Sequence, residues 1–154
     1  MRTAPILALL LAGCGQGGQQ ADSPAAPPVQ TATLTGLYES GASARPSQLC
    51  IVERDGSARF GLVTWQSGAP GCSGAGSASR EGYTLRLDME GDEPCRIEAR
   101  IAGTAVLFPA DSPASCAYYC APAARLGALA FDKVGGAEAD ALRARDLAGG
   151  ALCD

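Results

Sequence analysis

Seven cysteines and not one histidine bound the chemistry open to this chain. Without imidazole there is no Ser-His-Asp or Cys-His catalysis, and the commonest transition-metal ligand is missing too. Cys116 and Cys120 stand four apart, close enough in sequence to invite a redox reading. On a helical turn, however, their Cβ atoms sit about 6 Å apart, beyond the 3.5–4.5 Å or so that a disulfide spans. Each is therefore expected to bond elsewhere, and neither redox catalysis nor a zinc site is assigned. A histidine-free enzyme would need a carboxylate pair such as Glu39 and Glu53, but nothing in their spacing singles them out. Gly74-Ala75-Gly76 lacks the Gly-Lys-Ser/Thr that a phosphate-cradling loop requires. Glu90, Asp92 and Glu93 are read as a solvated turn rather than a binding patch. No catalytic residue, metal ligand or cofactor is assigned.

The seventh cysteine, Cys14, differs in setting. Arg2 opens the chain, Ala4 to Ala12 form a short apolar run, and small residues lead into Cys14. The run is too short for a permanent span, which takes about 20 apolar residues, and has the proportions of an export signal. Leu11-Ala12-Gly13-Cys14 resembles a bacterial lipobox. That resemblance implies cleavage after residue 13, lipidation of the Cys14 thiol and a membrane anchor of acyl chains. An ordinary signal peptide cut nearby is the competing reading. Lipidating Cys14 leaves Cys50, Cys72, Cys95, Cys116, Cys120 and Cys153, the even number that three disulfides need. Export to an oxidising compartment lets such bonds persist. The pairing is open at this stage.

Removal of Arg2 with the signal leaves 11 basic against 16 acidic residues, a net charge of −5. No basic cluster in the sequence suits nucleic acid or anionic lipid. Residues 15–32, with three Gly, three Pro and four Gln, cannot bury enough surface to offset ordering entropy. The expected organisation is thus a signal over 1–13, a lipidated tether over 14–33 spanning about 20–25 Å, and one disulfide-rich β domain over 34–154. Gly15 and Gln16 follow the lipid cysteine. By resemblance to Gram-negative lipoproteins, the absence of Asp there points to the outer membrane rather than the inner.

The elements that must position the cysteines are short strands. Leu37-Tyr38 opens the domain, and Gly41 to Ser47 reads as a loop. Gln48–Arg54 and Ser57–Trp65 flank Asp55-Gly56, a pair suited to a type I′ turn. Ile51 then faces Phe60 and Leu49 faces Leu62, with Cys50 on the other side opposite Gly61. Gln66 to Gly82, rich in Gly, Ser and Ala, reads as a flexible loop stapled by Cys72. Tyr83–Met89 and Cys95–Ile101 form a second hairpin, pairing Met89 with Cys95, Leu87 with Ile97 and Leu85 with Ala99. That register also sets Asp88 against Arg96 and Arg86 against Glu98. Ala105–Phe108 is a further strand. A helical turn follows, capped by Asp111 or Ser112 with Pro113 in its first turn, and Pro122 ends it. Leu126–Val134 is the last strand. Ala137–Ala148 reads as a helix with an alanine stripe, and Cys153 as a terminal clasp.

The expected fold is a mainly β domain: a small antiparallel barrel or sandwich of 6–7 strands with a helical turn and a C-terminal helix. The expected role is a lipid-anchored, non-enzymatic envelope module, binding or structural and of open specificity, with an envelope or extracellular protein as the candidate partner. Ser40-Gly41-Ala42 resembles part of the loop motif of the membrane-bound C-type lysozyme inhibitors, which are also small lipid-anchored barrels. The Tyr of that motif is missing, with Ala44 and Arg45 in its neighbourhood. The resemblance implies lysozyme inhibition as an alternative.

Overall fold

In the computed structural model, residues 32–42 and 44–154 are described. The expected signal, Cys14 and the expected tether up to residue 31 lie outside them. Eight antiparallel strands close into a barrel in sequence order. They are β1 (Gly36–Ser40), β2 (Ser47–Arg54), β3 (Ser57–Gln66), β4 (Ala69–Glu81), β5 (Thr84–Met89), β6 (Cys95–Ala102), β7 (Ala105–Leu107) and β8 (Ala130–Gly135). Closure comes from β1 pairing with β8, Tyr38 opposite Lys133 and Glu39 opposite Asp132. It leaves no unpaired sheet edge. The barrel alternative to a sandwich is therefore correct, with eight strands rather than 6–7.

Both expected hairpins form in the expected register. Leu49 faces Leu62 and Ile51 faces Phe60, while Asp55 and Gly56 take the positive φ values of 52° and 79° that the tight turn needs. Leu87 faces Ile97 and Met89 faces Cys95, with Asp88 opposite Arg96 and Arg86 opposite Glu98. Tyr83 departs from its expected apolar face: it sits in the Gly82 turn and is 76% exposed.

The expected loop over Gln66 to Gly82 is instead the longest strand, β4, of 13 residues. Ser67 and Gly68, with φ of 53° and 80°, make a second tight turn ahead of it. The strand hides in sequence because its alternation is small against small. At Gly74 an added Cβ would lie 2.6 Å from Met89 Sδ, and at Gly76 it would strike the Asp88 carbonyl. Small residues on β4 thus make room for the large ones of its neighbours, which is how a narrow barrel is filled. Phe60, Phe131, Leu49, Ile51, Leu62, Leu85, Leu87, Ile97 and Val106 are fully buried in that interior. Outward-facing Arg86, Asp88, Arg96 and Glu98 form exposed ion pairs. An apolar interior and a charged exterior invert the pattern of a transmembrane barrel.

A second apolar layer lies outside the barrel. Leu37, Cys50, Val52 and Val63 are covered by Ala141, Ala144, Leu152 and Cys153 of the C-terminal segment. That segment begins with α1 (Glu138–Ala141), a single turn instead of the expected helix over Ala137–Ala148. Asp140 accepts the Ala137 amide at 3.0 Å, closing the first turn. The helix then yields to tertiary contacts. Arg145 forms a bridge with Ala151, and the Asp146 carboxylate takes the amides of Ala148 and Gly150. Leu152 lies directly over Gly61, where any side chain would collide with its backbone.

All six cysteines of the domain are paired: Cys50–Cys153, Cys72–Cys120 and Cys95–Cys116. The first clasps the C-terminal segment to β2. The other two pin the long β7–β8 connection to β4 and β6, so Cys116 and Cys120 do bond elsewhere. A 3-10 helix over Ala114–Tyr119 carries Cys116 and ends at Cys120. Its N-cap is Pro113, and no side chain caps it, so Asp111 and Ser112 do not take the expected role.

Candidate functional site: the two ends of the barrel

The interior is filled with side chains, so any binding surface among the described residues lies on the ends or the outside. Chain direction sorts the loops. At one end, here the near end, the chain arrives at Ala32 and three tight turns cluster: 55–56, 82–83 and 103–104. At the far end lie residues 41–46, the Ser67-Gly68 turn, residues 90–94 and the 22-residue stretch 108–129.

Four strands hold the arriving chain. Arg80 of β4 donates to the Ala32 carbonyl at 3.0 Å, and Lys133 of β8 donates to the Thr33 carbonyl at 2.9 Å. Glu53 of β2 accepts the Thr33 hydroxyl, the Leu34 amide at 2.9 Å and the Thr35 amide at 3.2 Å. Tyr38 of β1 donates its hydroxyl to the Leu34 carbonyl at 2.7 Å. Leu34 itself is buried in the core. The folded unit thus includes Ala32 and Thr33 as well as the expected 34–154.

The electrostatics of this clamp follow from burial and hydrogen bonding. Burial pushes the Glu53 carboxyl upward, but the hydrogen bonds from Thr33, Thr35 and Leu34 together outweigh it and hold it below its ordinary range. Burial lowers the Lys133 ammonium, with Glu53 pulling the other way. Burial, aided by Glu53 and opposed by Arg80, pushes the Tyr38 phenol up to about 12. The Lys133 ammonium lies 5.3 Å from the centre of the Tyr38 ring. These groups are committed to structure: each contacts the incoming backbone or another clamp residue.

Side chains stand open at the far end too. Trp65, the one tryptophan, is half-buried and carries the Arg45 guanidinium 5.3 Å from its ring centre. It forms the common wall of two clefts. One, of about 550 Å³, is bounded by Ser40, Gly41, Ala44, Arg45 and the Ser67-Gly68 turn. The other, of about 310 Å³, is bounded by Arg45, Gln48, Arg143, Arg145 and Asp146. Across the same end, Tyr118 is 58% exposed and stacks edge-on against Tyr119. Tyr119 in turn donates to the Glu93 carbonyl at 2.6 Å.

The residues singled out in the sequence fall into place unevenly. Glu39 pairs with Gln48, five residues along β2 from Glu53, which separates the two carboxylates by roughly 17 Å of strand. They cannot act as a catalytic pair, whose members lie about 5–9.5 Å apart. Glu90 of the acidic turn is held by Arg59 at 2.7 and 2.9 Å. Gly74-Ala75-Gly76 is interior strand, not a loop. Ser40 and Gly41 of the inhibitor-like motif do line the Trp65 cleft. The clamp and the Trp65 clefts escaped sequence reasoning. Their available signals were the uniqueness of Lys133 and of Trp65, which mark neither a partner nor a position.

No protein-family model, no curated protein and no solved structure matches this chain.

Proposed function

We propose that this protein is a non-enzymatic binding module of the cell envelope, tethered by acyl chains on Cys14 and engaging a protein partner with the far end of its barrel. One observation carries this reading. The chain is clamped into the near end by Glu53, Arg80, Lys133 and Tyr38, while the irregular connections and both Trp65 clefts gather at the opposite end. A tether joined at one end leaves the other free to meet a partner. Two of the three disulfides then hold this end rigid by fastening the 108–129 connection that forms part of it. Rigidity of this kind lowers the ordering cost of association.

Crosslinking in intact envelopes, followed by capture of the lipidated protein, tests the reading against a Cys14→Ser control. One protein captured stoichiometrically, and lost with the control, is expected. Capture of nothing reproducible contradicts it.

Lysozyme inhibition is the second reading, favoured by the presence of Ser40 and Gly41 on the rim of the larger Trp65 cleft. It predicts inhibition of a C-type lysozyme by micromolar protein. Undiminished lysozyme activity at that concentration removes it for the enzyme tested.

A further inference from the structure

We infer that the recess enclosed by the 108–129 connection is a binding site for a small zwitterion with an apolar body, of the class of free apolar amino acids and their dipeptides. The inference goes beyond the protein-partner reading and does not depend on it. The recess holds about 520 Å³, inside the range of roughly 300–1,000 Å³ that small-molecule sites occupy. Its floor is apolar, since Cys116, Ala124 and Leu126 of its lining are buried members of the barrel core. Two charged side chains line it: Asp111 from the limb leaving β7 and Arg125 from the limb returning to β8. The limbs are tied together at their base. The Phe108 amide donates to the Leu129 carbonyl, and the Ala128 amide to the Pro109 carbonyl, each at 2.8 Å. The disulfides of Cys116 and Cys120 fix the span between the limbs.

The two charges do not neutralise each other. No ion pair joins them, and the Asp111 carboxylate has neither a hydrogen bond nor an ion pair among the described residues. Arg125 is held through its backbone: Gln66, at the end of β3, donates to the Arg125 carbonyl and accepts the Arg125 amide at 3.3 Å. Its guanidinium gives Nη1 to the Ala124 carbonyl at 2.8 Å. Nε and Nη2 have no acceptor among the described residues, and together they form the edge that grips a carboxylate side-on. Ser112, on the same wall, keeps its hydroxyl buried with no hydrogen-bond partner, a state that costs stability. This wall is therefore not packed for stability alone. A ligand carrying both charges sets its carboxylate on Arg125, its ammonium on Asp111 and its apolar part over the floor. A simple anion or cation leaves one of the two charges unmet.

Isothermal titration of the full-length chain in nonionic detergent tests the site, with L-leucine and leucyl-leucine as probes. Saturable one-to-one binding of either supports it, and the tighter of the two sizes the occupant. Arg125→Gln and Asp111→Asn should each weaken that binding at least about tenfold. The Gln66 contacts are to the Arg125 backbone and survive the first substitution, and an unchanged thermal unfolding midpoint checks that each variant is folded. Ligand chemistry gives the sharper test. Leucyl-leucinamide, which lacks the carboxylate, should bind the wild type more weakly than leucyl-leucine but bind Arg125→Gln no worse than leucyl-leucine does. N-acetyl-leucyl-leucine, which lacks the ammonium, should show the same relation to Asp111→Asn. Binding of neither probe at 10 mM, roughly the weakest affinity of use to a binding protein, overturns the site. Octanoate binding as tightly as leucyl-leucine, or variants that bind like the wild type, overturns the zwitterion assignment.

Discussion

Glu53 does for the arriving chain what a cap does for a helix: one carboxylate gathers the amides of Leu34 and Thr35 and the hydroxyls of Thr33 and Thr35. Its lowered pKa sets the sign of a pH effect. A carboxyl held below its unfolded value contributes stability above that value, about 4.5, and the contribution disappears as pH falls through the folded pKa. Glu53→Gln should therefore flatten the stability curve between neutral and acid pH. At pH 7 it should cost roughly 1–2 kcal/mol, the scale of losing charged hydrogen bonds at a partly exposed site. Urea unfolding of both proteins at neutral pH and near pH 3.5 checks this. Identical losses for both proteins on acidification would assign the acid sensitivity to other carboxylates. Tyr38 works in the alkaline direction: its stability contribution is full below about 10 and lost as pH rises through about 12.

At the scale of the element, the C-terminal strap depends on one disulfide and one glycine. Cys50–Cys153 closes a separation of 103 residues, a loop length for which the chain-entropy estimate is about 4–5 kcal/mol. Cys153→Ser paired with Cys50→Ser should lose most of that and free the strap first, exposing Leu37, Val52 and Val63 while the barrel persists. Hydrogen exchange should show the Leu152 amide, bonded to the Ala144 carbonyl at 3.1 Å, deprotected well before the amides of β5 and β6. Simultaneous deprotection would mean that strap and barrel are one cooperative unit. Gly61→Val asks the same question without touching sulfur. A side chain there meets the Leu152 backbone, so about 1–3 kcal/mol of overpacking cost is expected, read by thermal unfolding.

How much of these elements could be read beforehand depended on contrast between neighbours along the chain. The 48–65 and 83–101 hairpins alternate large apolar with polar residues, so period and register were both legible, down to Asp88 facing Arg96. β4 alternates glycine and alanine with serine, and its strand character exists only through the bulk of Phe60, Leu62 and Met89 beside it. The C-terminal helix failed for the converse reason. Its composition favours helix, but tertiary contacts at Gly61, Gln48 and Cys50 draw the chain flat against the sheet after one turn. Of the candidate site, the Ser40-Gly41 rim and the disulfide-pinned 108–129 connection were visible as residues. The Trp65 clefts were not, because they are assembled from β3, the β1–β2 loop and the strap.

Over the whole molecule, the arrangement is polar in the geometric sense. One end receives the chain and spends its charged groups holding it. The other end collects long loops, the half-buried indole of Trp65 and a tyrosine pair of which Tyr118 is exposed. The barrel between them is a packed spacer. Under the proposed function, this division of labour is what a tethered body needs in order to present one face outward.

Site-specific photocrosslinking in cells tests that division most directly. A photoreactive residue placed at Ser67 or Asp92 samples the far end, and one at Asp55 or Tyr83 samples the near end, each in the otherwise native, Cys14-bearing chain. Discrete protein adducts from the far-end positions, with none from the near-end pair, are the predicted result. Adducts that form chiefly from Asp55 and Tyr83, or equally from all four positions, would contradict the account.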